Sequence, residues 1–153
     1  MITDHLQDGG ELTDFMDKRA QPLFVAWLAA HRPSAHSDVG DALLRGADEV
    51  CSEWTAFSPS YRSCMYVALL TQRRAFALAW NMQTVSVCVA DAQVAVALAL
   101  GCRRHEELGT GWVQFEMWLG RTPRPDLLFW LRAAYAHARA LAAPPSKPGG
   151  SAS

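Results

Sequence analysis

Apolar residues recur three and four positions apart along most of this chain, and that period predicts helices. Thr13 and Asp14 can cap a segment opened by Phe15 and Met16. Pro22 suits a helix start, and Phe24, Trp27, Leu28 and His31 then share a face until Pro33 stops the run. Ser37, followed by Asp38 and Asp41, marks the start of the clearest amphipathic helix, with the serine as cap and the carboxylates at the positive end of the dipole. Its apolar face is Leu43, Leu44, Ala47, Val50, Cys51 and Trp54. Ser58-Pro59 opens a further helical stretch through Val67, Leu69 and Leu70, then Phe76, Leu78 and Trp80, with a turn or a polar face at Gln72–Arg74.

Residues 84–100 carry two signals. Val85, Val87 and Val89 alternate with small residues, as do Val94, Val96, Leu98 and Leu100, which favours strands and a short β-hairpin. The alanines between the second set favour a helix over 91–102, and 84–90 stays open between strand and helix. Trp112, Val113, Phe115, Met117, Trp118 and Leu119 suggest a short, very apolar helix ended by Gly120. Thr122-Pro123-Arg124-Pro125 reads as a stiff linker, and a last helix runs from near Asp126 to Leu141.

The expected fold class is all-α: five to seven helices in a single-domain helical bundle or a stack of short helical hairpins, with a possible β-hairpin near 84–100. The helical domain spans 11–143, between a flexible leader (1–10) and a disordered Pro/Gly/Ser tail (144–153). VALLTQRR at 67–74 and ALALGCRR at 97–104 look like two copies of a hairpin unit thirty residues apart.

Composition narrows the class. At 153 residues the chain suits one domain, and 50% hydrophobic with 19% charged residues favours a packed core over disorder. A mean hydropathy of −0.01 argues against an integral membrane protein, and the first thirty residues lack a secretory-signal layout. Arg73-Arg74 and Arg103-Arg104 flank an apolar stretch, but Asp91 within it would be costly in a bilayer, so a buried core helix is expected there instead. Cys51, Cys64, Cys88 and Cys102 form no CxxC pair, so reduced, buried thiols in a cytoplasmic protein are expected, without structural zinc. Net charge is −1, yet residues 1–57 hold ten acids and four bases while 58–153 hold five acids and ten bases. The two halves can attract each other within one fold, or the arginine-bearing half can meet an acidic partner.

No catalytic constellation stands out. Cys102 and His105 are close in sequence but lack an orienting acid. His31 and His36 are irregularly spaced for a metal, Gly109-Thr110-Gly111 lacks a phosphate-loop fingerprint, and Asp91 reads as a cap. No catalytic residue, metal or cofactor is expected. A helix-turn-helix reading gains Ala97 and Gly101 but fails at Glu107, where a buried apolar residue belongs. The aromatics Trp112, Phe115, Trp118, Phe129 and Trp130, with Arg121, Arg124 and Arg132 beside them, form either core or a partner-binding surface. The sequence therefore points to a non-catalytic module that binds another protein through this aromatic/Arg segment, as an adaptor, chaperone, inhibitor or regulatory subunit, with homodimerisation possible. The alternative is a helix-turn-helix-like DNA-binding regulator using Arg103 and Arg104, with nucleic acid the less favoured partner.

Overall fold

Several of the apolar runs that read as helices are strands. The computed structural model describes residues 6–7, 12–31, 33–58, 66–117 and 126–142. In chain order they form β1 (Leu6–Gln7), α1 (Leu12–Phe15), α2 (Pro22–His31), α3 (Ser37–Val50), β2 (Thr55–Phe57), β3 (Val67–Thr71), β4 (Arg74–Ala79), β5 (Thr84–Cys88), α4 (Asp91–Ala99), β6 (Arg103–Arg104), β7 (Trp112–Glu116) and α5 (Leu127–Ala142). A 3₁₀ turn, Glu106–Leu108, joins β6 to β7. The strands make one sheet in the order β1-β2-β3-β4-β5-β7-β6, antiparallel except for the parallel β1–β2 pair.

This α/β architecture corrects the all-α bundle. The helical stretch expected over 67–80 is the β3–β4 hairpin, and the helix expected from Trp112 is β7. The undecided segment 84–90 contributes β5, whose partners are β4 and β7, so the hairpin suggested within 84–100 does not form. The helices expected after Ser37, over 91–102 and after Asp126 are α3, α4 and α5. The two hairpin-like copies have unlike structures: VALLTQRR is β3 and its turn, whereas ALALGCRR is the end of α4 running into β6. Of the expected leader only Leu6–Gln7 is described, and the tail 144–153 lies outside the described residues, as does Cys64.

The physical reason is that both faces of the sheet are covered. A strand buried on both sides loses the apolar–polar alternation that identifies it and reads as a continuous apolar run. β3 is buried at all five positions and β4 at five of six. Their two-residue loop, Gln72-Arg73, has φ of 54° and 66°. That is the left-handed backbone a tight hairpin demands, reached here without the Asn-Gly pair that would have advertised it.

One face of the sheet packs against α3 and α5. Val67, Leu69, Phe76, Val85, Val87 and Val113 meet Leu43, Leu44, Ala47, Trp130, Leu131 and Ala134 in a single cluster. Gly46 permits the close crossing of these helices, since a Cβ there would stand 2.6 Å from Leu131 Cδ1. The cap of α3 is His36, whose Nδ1 accepts from the Asp38 N–H at 3.1 Å, and the expected cap, Ser37, is the first helical residue. Tyr135 ties the C-terminal half of α5 to the loop after α3: its hydroxyl accepts from the backbone N–H groups of Ser52 (3.3 Å) and Glu53 (2.9 Å) and from Arg139 Nη1 (3.1 Å). Arg139 also pairs with Glu53 at 2.7 Å, one contact between the basic and acidic halves of the chain.

The other face is covered by the N-terminal segment. Leu12, Met16, Phe24 and Trp27 pack on Phe57, Ala68, Leu70, Leu78 and Trp112. At the entry to α2, Gln21 lies against β4, where pairing with β3 shifts between Leu69 and Leu70. The Gln21 side-chain amide donates to the Ala75 carbonyl at 2.8 Å and accepts from the Ala75 N–H at 2.7 Å. One side chain thereby satisfies both backbone groups of a buried strand residue.

Candidate functional site

Among the described residues, those of the aromatic segment do not share one surface. Trp112 and Phe115 are three residues apart on a strand, so their side chains leave opposite faces of the sheet. Trp112 stacks on Phe24 under α2, with ring centroids 5.3 Å apart, whereas Phe115 joins the cluster under α3 and α5. Trp130 is 0% exposed in that same cluster. Phe129 and Arg132 are exposed on α5. Trp118, Arg121 and Arg124 lie outside the described residues. A signal for this division was present in the sequence: Val113, Phe115 and Met117 alternate with Gln114 and Glu116, the period of a strand.

Arg103 and Arg104 are both exposed on β6, at the edge of the sheet. After α4 the chain forms a two-residue strand, a 3₁₀ turn and β7, in place of the recognition helix that a helix-turn-helix would need. The acidic Glu106 and Glu107 are exposed beside these arginines.

Two arrangements remain with chemical content. The first is a polar cluster beneath α2. Trp80 Nε1 donates to Ser86 Oγ at 2.8 Å, and Ser86 Oγ lies 2.7 Å from His105 Nδ1. An indole can only donate, so the arrangement that uses every group sends the serine hydrogen to Nδ1 and leaves the imidazole neutral with its hydrogen on Nε2. His105 Nε2 lies 3.9 Å from Glu107 Oε1, which accepts from Trp27 Nε1 at 3.2 Å. Burial holds the His105 pKa below the ordinary histidine value, against the pull of the Glu107 carboxylate and with a smaller push from His31. The set resembles a serine–histidine–acid row, but Ser86 is 0% exposed. The ring of His105 lies between Trp27 and Trp80, at 5.2 and 4.9 Å. A substrate carbonyl has no approach to Oγ, so the row acts as an internal tie.

The second arrangement is α4. It is not the buried core helix expected of this apolar stretch: of its nine residues only Val94 and Ala97 are buried. Val96 is 43% exposed, Leu98 38% and, just past its end, Leu100 63%. Ala92, Ala95 and Ala99 are exposed as well. The sequence signal was the lack of any polar residue between Gln93 and Gly101, which leaves no polar face to turn toward water. Beside the end of α4, a groove of about 440 Å³ is lined by Leu100, Arg103, Gln114 and Glu116, among others.

The thiols of Cys51 and Cys88 are not poised for nucleophilic chemistry. Burial pushes the Cys51 thiol up to about 12 and Cys88 up to about 11, the latter partly offset by Arg74. Among the described residues no group of three His, Cys, Asp or Glu side chains is arranged to hold a metal ion. None of the described helices is long and apolar enough to cross a membrane. No family model, curated protein or solved structure matches this chain.

Proposed function

We propose that this protein is a non-catalytic protein-binding module, acting as an adaptor, chaperone or regulatory subunit in the cytoplasm, and that it works as a homodimer joined through α4. The observation that carries the reading is the exposed apolar face of α4 and its continuation, Val96 and Leu100 with Ala92, Ala95 and Ala99 beside them, while Leu98 is exposed on the flank of the helix. A cluster of apolar side chains of this kind is normally covered by another chain. A second copy suits the charges. Asp91 opens the helix, and Arg103 and Arg104 lie just beyond its end. Antiparallel pairing about a two-fold axis sets the acidic start of one α4 beside the basic end of the other, as an isologous contact requires. The sealed Ser86 and the raised thiols favour binding over catalysis, and the free thiols of Cys51 and Cys88 fit a reducing compartment.

The test is light scattering during gel filtration. The wild-type chain is expected at twice its monomer mass of 16.8 kDa. Leu100→Asp, at a position already 63% exposed, is expected to run as a monomer with unchanged far-ultraviolet circular dichroism. A wild-type protein that stays monomeric at high micromolar concentration refutes the α4 dimer.

A further inference from the structure

A groove of about 540 Å³ lies at the rim of the sheet and shares no residue with α4 or with the Ser86–His105 row. Three parts of the chain build it: the end of α1, the loop from α3 into β2, and the turn of the β3–β4 hairpin. Phe15, Trp54 and Leu70 give it apolar walls. Its volume falls within the roughly 300–1,000 Å³ of small-molecule sites, which combine such walls with a few placed polar groups.

The polar groups here are held from behind. Thr71 Oγ1 donates to the Glu53 carbonyl at 2.8 Å, and Ser52 Oγ lies 3.0 Å from the Tyr135 hydroxyl. Arg73 Nη2 donates to the Met16 carbonyl at 3.3 Å, which ties the hairpin turn to the chain just past α1. Side chains fixed by a further layer of contacts present a site already in shape to bind. The turn itself adds a second sign. Gln72 and Arg73 occupy left-handed backbone, with φ of 54° and 66°, where glycine or asparagine costs less. Non-glycine residues held in that region cluster at ligand clamps. The chain keeps two long, exposed polar side chains there, and both line the groove.

Charge selects the ligand. Glu53 is already paired with Arg139 at 2.7 Å. Arg73 has no carboxylate partner among the described residues. Asp17, whose N–H donates to the Arg73 carbonyl, gives its own carboxylate to the Arg19 N–H at 3.2 Å. A guanidinium carries five N–H donors, so the contact with Met16 leaves a fork for an incoming carboxylate.

We propose that this groove binds a small carboxylate with an aromatic body. The ring lies against Phe15 and Leu70, and the carboxylate sits on the Arg73 guanidinium with the Gln72 amide beside it. The site stands apart from the protein-binding reading: neither it nor its test involves α4 or the dimer.

The experiment titrates phenylacetate into the ¹⁵N-labelled full chain and follows the amide chemical shifts. Saturable shifts are expected, centred on residues 52–55 and 70–73. Phenethylamine and phenylacetamide, which keep the ring and lose the anion, are expected to bind at least about tenfold more weakly. Arg73→Gln should weaken phenylacetate by a similar factor, whereas Arg103→Gln, at an exposed arginine outside the groove, should leave it unchanged. Absence of saturable shifts at millimolar phenylacetate, shifts centred elsewhere, or equal affinity for phenethylamine overturns the proposal. If Arg73→Gln fails to fold, the comparison of the three probes on the wild-type chain decides by itself.

Discussion

Gln21 offers the sharpest test of how the N-terminal segment is bound to the sheet. Its amide makes two hydrogen bonds, 2.7 and 2.8 Å, to the N–H and C=O of Ala75, and both residues are buried. Gln21→Met keeps the length of the side chain and removes both bonds. Leaving a buried backbone group unsatisfied costs about 1–3 kcal/mol, so two such groups, with some relief from local relaxation, cost about 2–4 kcal/mol. Domains of this kind are stable by about 5–15 kcal/mol, which makes the loss a large fraction of the total. At about 2–4 °C per kcal/mol for a chain of 150–250 residues, the melting temperature should fall by roughly 4–16 °C.

Gln21→Glu adds a signature that a simple packing defect lacks. The protonated acid can donate to the Ala75 carbonyl and accept from its N–H, restoring both bonds. The carboxylate keeps the acceptor but sets a negative oxygen against the carbonyl oxygen. The folded state therefore favours the acid and raises that carboxyl above the usual value of about 4.3. A raised folded-state pKa means that the variant's stability is fully present below the unfolded value and is lost as pH rises through the folded one. Urea denaturation of wild type and both variants from pH 4 to 8 reads the effect as a gap. For Gln21→Glu the gap should widen with pH, and for Gln21→Met it should stay constant. A Gln21→Met penalty below about 0.5 kcal/mol, or a Gln21→Glu gap that does not change with pH, would refute the reasoning.

Burial also makes stability depend on pH through two histidines. It depresses the pKa values of His105 and His137 below the ordinary histidine value of 6.5, so the unfolded chain takes up protons first. Stability should be full above about pH 6.5 and fall as pH drops toward the folded-state values. His105→Asn should flatten part of that slope in urea midpoints measured between pH 5 and 7.5, and an unchanged slope would contradict the role given to His105. Gly111 has φ of 91°, and a Cβ there would meet the Val89 carbonyl oxygen at 2.8 Å. Gly111→Ala therefore combines left-handed strain with a backbone clash and should cost about 2–3 kcal/mol in thermal or urea unfolding. Retention of wild-type stability would show that the entry to β7 can yield to a side chain.

The chain's local chemistry determined α3, α4 and α5. The acidic residues near Ser37, the alanines between Val94 and Leu100, and the apolar stripe from Leu127 to Ala138 each act within one or two helical turns, so neighbouring residues suffice to read them. The absence of a polar face on α4 was equally legible, and it now carries the proposed function. Only the tertiary structure decided β3 and β4, whereas β7 carried its strand period in the alternation of Val113, Phe115 and Met117 with Gln114 and Glu116. VALLT and RAFALA are apolar because α3 and α5 cover one face and the N-terminal segment covers the other, and no residue within those runs records what lies above or below it. The same reason separates Trp112 from Phe115 and Trp130. Their nearness in sequence suggested one surface, but a sheet covered by helices on both sides sends them to opposite cores. The Ser86–His105 contact spans nineteen residues and exists because β5 pairs with β7. Long-range pairing of this kind leaves no periodic trace in the chain, since register is set by the partner strand and by what each face must bury.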